Sequence, residues 1–371
     1  MAGKITYVCT LGVILGSLLL VACGGGSSGT GAPQPPDAAP APAPAPQPAP
    51  TLKPLPSGIY NSAAIKGRNG NTSLAVTPAI NNIDVVSGTL VKVRWSAINP
   101  SPGVFDLSII AEELEAAEEL DTDISLIILD SKEMPQFVLD ACETFDYAFR
   151  GLPEQTCLPW DTEYLNYKEA MVQAVGEMAD GRDVLRYVYI TYAAMTNGAE
   201  MHWRVSEADF TAAGYTPDKL INAYNRVTDM YASAFPTTPL TMEVHTVFNS
   251  DALAANTYAH CSEITGERCG VAIWWCASRL ATNPSSSEYA VFSLAQQAAE
   301  ESFAVCQTLG SMTDQPERFS NAPGASSLEV FDAETAFFLG EGFSVFELWT
   351  SDIRNDAMQQ RLRDDVLPRF P

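Results

Sequence analysis

Residues 190–203, ITYAAMTNGAEMHW, change character within a few positions. The β-branched and aromatic run 187–192 reads as a buried strand, yet it gives way to Asn197, Glu200, His202 and Trp203. A carboxylate can move a proton, an imidazole can hydrogen-bond a hydroxyl or tune that carboxylate, and an indole offers a flat apolar face. With only three histidines and six tryptophans in 371 residues, this grouping is not ordinary surface composition. Acid–base cleavage needs a second carboxyl group, and Glu347, inside the apolar run 343–348, is the best partner the chain offers. Each glutamate also has a purely structural reading. Glu200 can cap a following helix or pair with Arg204, and Glu347 can sit in a buried ion pair with Arg94 or Arg186.

Short apolar runs that read as strands recur at 59–65, 90–95, 124–129, 187–192, 240–244, 271–275, 304–309 and 343–348. Acid-rich segments with helical spacing lie between them, at 107–120, 163–179, 216–234 and 287–303, and a last one covers 355–367. Eight strands alternating with helices predict a (β/α)8 barrel in a single domain over 57–371, although 66–89 reads more as loop than helix. The competing open, doubly wound sheet calls for a glycine-rich phosphate turn after an early strand, and the sequence has none.

In such a barrel, residues just past the strands' C-terminal ends gather at one mouth. Trp95 ends the second run, Trp160 lies in the long loop after the third, and Trp203 follows the fourth. Trp274 and Trp275 end the sixth, and Trp349 follows the eighth, so none is expected in a helix. An aromatic mouth with carboxylates suits the C–H faces of sugar rings. Asn197, His202 and His245 are further candidate ligands for sugar hydroxyls. Glu243 alternates with His245 along the fifth run and is expected to face the same way. Asp161 and Asp352 flank tryptophans and read equally well as helix caps.

The segment 91–120, VKVRWSAINPSPGVFDLSIIAEELEAAEEL, resembles the early part of family 42 and family 5-like glycoside hydrolases. Their strand ending in Arg-x-x-Trp meets a Glu-Pro-x-x-Gly-x-aromatic-Asp turn. Trp95, Pro100, Gly103, Phe105 and Asp106 match, whereas Asn99 stands in place of the glutamate. MPQFV (134–138) resembles the segment after the third strand, and 158–177 resembles the helix entry preceding the acid/base strand. The resemblance runs in order through most of 57–371 and is distinctive over 91–203. It implies a retaining glycosidase with an acid/base glutamate after strand four and a nucleophile ending strand seven. Glu200 takes the first role, with Asn197-Gly198-Ala199-Glu200 replacing the usual Asn-Glu pair. The second role has no match, since run seven carries Gln307 and the next inward candidate is Glu347 on run eight. Two functions follow: a glycoside hydrolase using Glu200 and Glu347, or a barrel that binds glycan or a surface partner without cleaving.

Residues 1–22 combine Lys4 with a short apolar stretch and read as a signal peptide. The final Leu-Val-Ala-Cys resembles a bacterial lipobox, which makes Cys23 a lipidated first residue, and Gly24 leans toward the outer membrane. Residues 23–56, rich in Gly, Ser, Pro and Ala, read as an extended spacer. The membrane is therefore a partner through the lipid anchor alone. A net charge of −24 leaves no basic stripe for nucleic acid. Cys142, Cys157, Cys261, Cys269, Cys276 and Cys306 are an even set for an oxidising compartment. Sequential pairing is the simplest of about fifteen connectivities. Within 57–371 no His-x-His, His-Glu-x-x-His, Cys-x-x-Cys or Gly-x-Ser-x-Gly motif occurs, so neither metal nor cofactor nor a serine nucleophile is expected. Replacing Cys23 with Ser should move the protein from the membrane to the soluble fraction, and an unchanged distribution would remove the lipid anchor.

Overall fold

The computed structural model describes residues 51–370, apart from Thr196 and residues 321–323. The signal peptide, Cys23 and the spacer up to residue 50 lie outside the described residues. Ten strands form among the described residues: β1 (Gly58–Ser62), β2 (Gly88–Arg94), β3 (Asp123–Leu129), β4 (Thr144–Phe149), β5 (Leu152–Cys157), β6 (Leu185–Ile190), β7 (Leu240–Glu243), β8 (Cys269–Cys276), β9 (Ala304–Thr308) and β10 (Val345–Trp349). Eight close into a parallel barrel in the order β1-β10-β9-β8-β7-β6-β3-β2. Intervening helices complete a (β/α)8 TIM barrel, as the eight apolar runs predict. The remaining pair, β4–β5, is an antiparallel hairpin inside the loop after β3, where no strand was expected.

Alternation along each strand divides the core in two. In β3, Ile124, Leu126 and Ile128 join the shell between barrel and helices, while Ile127 and Leu129 point into the barrel with Tyr60, Leu90, Tyr187, Tyr189, Phe303 and Val345. Large interior rings need small neighbours. A Cβ on Gly270 would lie 2.6 Å from the Phe303 ring, so the bare backbone there makes room for the ring. At the base, Asp123 accepts hydrogen bonds of 2.9 and 2.7 Å from Arg186 and one of 3.2 Å from Tyr60.

Helices Ser108–Leu120, Thr162–Ala179, Pro217–Ala234 and Tyr289–Glu301 form where helical periodicity placed them. Helices Ala252–Thr265 and Ser327–Gly340 complete the ring. After β1 a 3-10 turn, Arg68–Gly70, and a single α-helical turn, Pro78–Asn81, stand in place of a full helix. Trp95 opens a one-turn helix, Trp95–Ile98, which corrects the expectation that no tryptophan is helical. Disulfides join Cys142 to Cys157, Cys261 to Cys269 and Cys276 to Cys306, the sequential pairing. No helix among the described residues is long and apolar enough to cross a membrane.

Buried carboxylates anchor the loops at the mouth. Asp130, just past β3, meets Lys168 at 2.6 Å with both side chains fully buried, and it also accepts a hydrogen bond from the Tyr164 hydroxyl. Lys168 donates to Thr191, and the backbone N–H of Ala193 donates to Tyr164, so this knot holds the start of the loop after β6. Glu113 receives the N–H groups of Ala75 and Val76 and pairs with Lys66 at 2.7 Å, fixing the loop after β1. Asp352 does the same for Met312 and Thr313 after β9. Removing one member of a buried pair strands the other charge. Asp130→Asn should therefore destabilise by about 3–5 kcal/mol, whereas adding Lys168→Met should recover much of the loss. Urea unfolding of the single and double variants measures both changes.

Candidate active site at the barrel mouth

Glu347 projects from β10 into the barrel and is completely buried. Its Oε1 accepts hydrogen bonds of 2.7 Å from Tyr187 and 2.9 Å from Tyr189. Both tyrosines belong to β6, which lies diametrically opposite β10 in the closed strand order, so these contacts put the carboxylate near the axis. Oε2 is buried and has no hydrogen-bond partner. Burial pushes the carboxyl up to about 7, against the opposing pull of the two tyrosines and of Lys92. The ion pair with Arg94 or Arg186 does not form: Arg94 pairs with Glu133 and Arg186 with Asp123.

A polar layer surrounds this carboxylate. Lys92 of β2 donates to Ser62 at 2.9 Å, and Ser62 donates to Gln307 Oε1 at 2.9 Å. Burial lowers the Lys92 ammonium to about 8, with Glu347 acting in the opposite sense. Lys92 also sits 5.2 Å over the Trp349 ring. The Trp274 indole N–H donates to the Tyr189 hydroxyl at 3.3 Å. Trp274 and Trp349 are thus the tryptophans that meet the polar interior directly.

The other four contact the surrounding shell. Trp95 is fully buried and donates to Asn99. Trp203 stacks on Phe210 at 4.3 Å and donates to Tyr224. Trp275 donates to the carbonyl of Val244, and Trp160 packs on Phe210 under Lys219. Asn99 has a role that glutamate cannot fill. It accepts from Trp95 while its amide donates to the carbonyls of Ser101 and Val104, and an ionised carboxylate has no donor.

Across the barrel from Glu347, the loop after β6 brings Glu200 to Glu243 and His245. His245 Nε2 lies 3.1 Å from Glu243 Oε1 and 3.6 Å from Glu200 Oε1. Glu243 Oε2 accepts the Met201 N–H at 3.0 Å, and His202 stacks on His245 with ring centroids 4.4 Å apart. Burial opposes charge on His245, but Glu243 and Glu200 overcome it and raise the imidazole to about 10. Burial likewise raises Glu243. His202 is lowered to about 3 by burial and by the neighbouring positive charge of His245 and Arg204. The turn carrying Glu200 is built locally. Asn197 Oδ1 accepts the N–H groups of Ala199 and Glu200, and Gly198 adopts φ +86° with its Cβ position 2.6 Å from the Asp130 carbonyl. Only glycine fits there. Glu200, Glu243 and His245 also form a donor set able to hold a metal ion, one that motif spacing did not reveal because the loop after β6 and the end of β7 supply it together.

No protein-family model matches the chain, and no curated protein does. Solved structures share its fold. The catalytic domain of β-amylase from Paenibacillus polymyxa aligns over 86% of this chain and 100% of its own, at 10% identity and TM-score 0.54. A β-galactosidase from Marinomonas ef1 aligns over 82% of this chain and 58% of its own, at 12% identity and TM-score 0.50. Endo-glycoceramidase II from Rhodococcus sp. aligns over 81% and 75%, at 13% identity and TM-score 0.50. The chain is a TIM barrel with a distant structural similarity to glycoside hydrolases.

Glu347 gives a signed pH dependence. Its folded value of about 7 exceeds the ordinary 4.5, so the native chain holds a proton that the unfolded chain releases between those values. This contribution to stability is complete below about pH 4.5 and is lost as pH rises through 7, by up to about 3 kcal/mol. Glu347→Gln removes it. Urea unfolding should show the variant gaining on wild type by about that amount from about pH 5 to about pH 8, and parallel curves would contradict the raised value.

Proposed function

We propose that the chain is a glycoside hydrolase, tethered to the bacterial envelope through Cys23, with Glu200 and Glu347 as its two carboxyl groups. The observation that carries this reading is Glu347. It is a carboxylate at the barrel axis with one oxygen held by two tyrosines and the other unpartnered, and its affinity for a proton lies near neutrality. Distant fold similarity to β-amylase, β-galactosidase and endo-glycoceramidase supports the substrate class.

In this mechanism Glu200 protonates the glycosidic oxygen as the bond to the anomeric carbon breaks. Glu347 takes a proton from water, whose oxygen attacks that carbon from the opposite face. A loop after β6 and the opposed strand β10 favour the wider carboxyl separation, about 6.5–9.5 Å, and therefore inversion of configuration. That departs from the retaining outcome the sequence resemblance implies. Trp274 and Trp349 line the sugar's apolar faces, Lys92 and His202 serve hydroxyls, and His245 orients Glu200.

A non-catalytic glycan-binding barrel is the second reading, favoured by Gln307. It stands on the seventh barrel strand where the resemblance expects a nucleophile, and its Oε1 is engaged by Ser62. Hydrolysis of aryl glycosides and polysaccharides by wild type, Glu200→Gln and Glu347→Gln separates the two. The proposal expects turnover that falls by about 10²–10⁴-fold in either variant, with a rising pH limb near 7 set by Glu347. Glycan binding without turnover in wild type would establish the second reading.

A further inference from the structure

The geometry points to a divalent-cation site of the zinc class formed by Glu200, Glu243 and His245. One donor atom from each residue lies within 4.8 Å of the other two. Zinc bonds to oxygen and nitrogen of about 2.0–2.2 Å set tetrahedral donors about 3.3 Å apart. The observed separations from His245 Nε2, 3.1 and 3.6 Å, bracket that spacing. The third separation, between the two carboxylates, lies within the same 4.8 Å.

Besides that spacing, two of the donor atoms, Glu243 Oε1 and His245 Nε2, are buried and, although 3.1 Å apart as an ion pair, make no well-directed hydrogen bond. Both residues are more than nine-tenths buried. Buried polar atoms ordinarily make hydrogen bonds, so a close pair without one, facing a third donor, leaves lone pairs free for an ion. The surroundings hold the ligands as a metal site requires. The Met201 N–H fixes the other oxygen of Glu243, and the imidazole of His245 is gripped by the His202 ring at 4.4 Å and Trp275 at 6.2 Å.

Charge balance agrees. Two carboxylates and an imidazolium leave a net negative charge in a buried place, whereas two carboxylates, a neutral imidazole and a divalent ion sum to zero. The imidazole favours Zn2+ over Mg2+, which prefers oxygen and retains its water. Three protein ligands leave a fourth position open, and Glu200, whose side chain is 20% exposed, lies on the path of entry.

This site does not depend on hydrolysis. An ion on Glu200 excludes the proton that glycosidic cleavage needs, so Zn2+ acts as an inhibitor of the proposed reaction. Titration calorimetry of the chelator-treated protein with Zn2+, in excess Mg2+ to mask the acidic surface, tests the site. One Zn2+ per chain is expected in wild type and in Glu347→Gln, with binding weakened by at least about 10–100-fold in Glu243→Gln and His245→Gln. Near-UV circular dichroism identifies variants that retain the fold. Glu200→Gln, at the partly exposed position, should show the same weakening even if a buried variant does not fold. Absence of Zn2+ binding, or wild-type affinity in the folded variants, overturns the site. Hydrolysis without Zn2+ binding defeats this inference alone, and Zn2+ binding without hydrolysis defeats the other alone.

Discussion

A carboxylate on the axis of a closed barrel survives only if the opposite wall supplies its partners, and Glu347 obtains them from Tyr187 and Tyr189 across the full width of the interior. Those two rings must then be long enough to reach the axis, which sets the size of what packs around them. Gly270 yields space to Phe303, and Phe303 lies against Tyr187 at 6.1 Å. Above this level the interior turns polar, through Ser62, Lys92 and Gln307. An ordinary barrel core would continue with branched aliphatic side chains. Burial without a full set of hydrogen bonds keeps the carboxyl near neutrality, and that property makes it chemically useful.

The mouth is held by a different device. Asp130, Glu113 and Asp352 each accept backbone N–H groups or side-chain donors of a mouth loop, so buried carboxylates anchor the loops. Glu334 does the same for Ser278 after β8. Gly198 shows how close the fit is, because its carbonyl accepts the Asp130 N–H and its α-carbon has no room for a side chain. The unusual spacing from Asn197 to Glu200 is therefore a packing requirement of this loop. It carries Glu200 to Glu243 and His245 on the side of the barrel opposite Glu347.

Strand identity was legible because parallel barrel strands are buried on both faces and read as apolar runs. The β4–β5 hairpin was not, since its residues mix polar and aromatic types within a long loop. Glu243 and His245 were recognisable as neighbours from their alternation, but their meeting with Glu200 depends on how the loop after β6 folds. Tryptophan positions were legible and their directions were not. An irregularity between Ile273 and Cys276 interrupts the pairing with β9, where Trp274 meets the interior and Trp275 the shell. Nor does spacing reveal that Arg94 is taken by Glu133 and Arg186 by Asp123, which leaves Glu347 to the tyrosines. Long-range partners of buried charges are settled by packing.

The central claim is that a sugar lies between the loop bearing Glu200 and the strand bearing Glu347. A crystal structure of Glu347→Gln with a bound oligosaccharide tests it most directly. The account predicts a glycosidic oxygen within hydrogen-bond reach of Glu200, rings against Trp274 and Trp349, and the residue 347 amide on the opposite face of the anomeric carbon. Sugar bound outside the mouth, or both side chains on one face of the linkage, would contradict it.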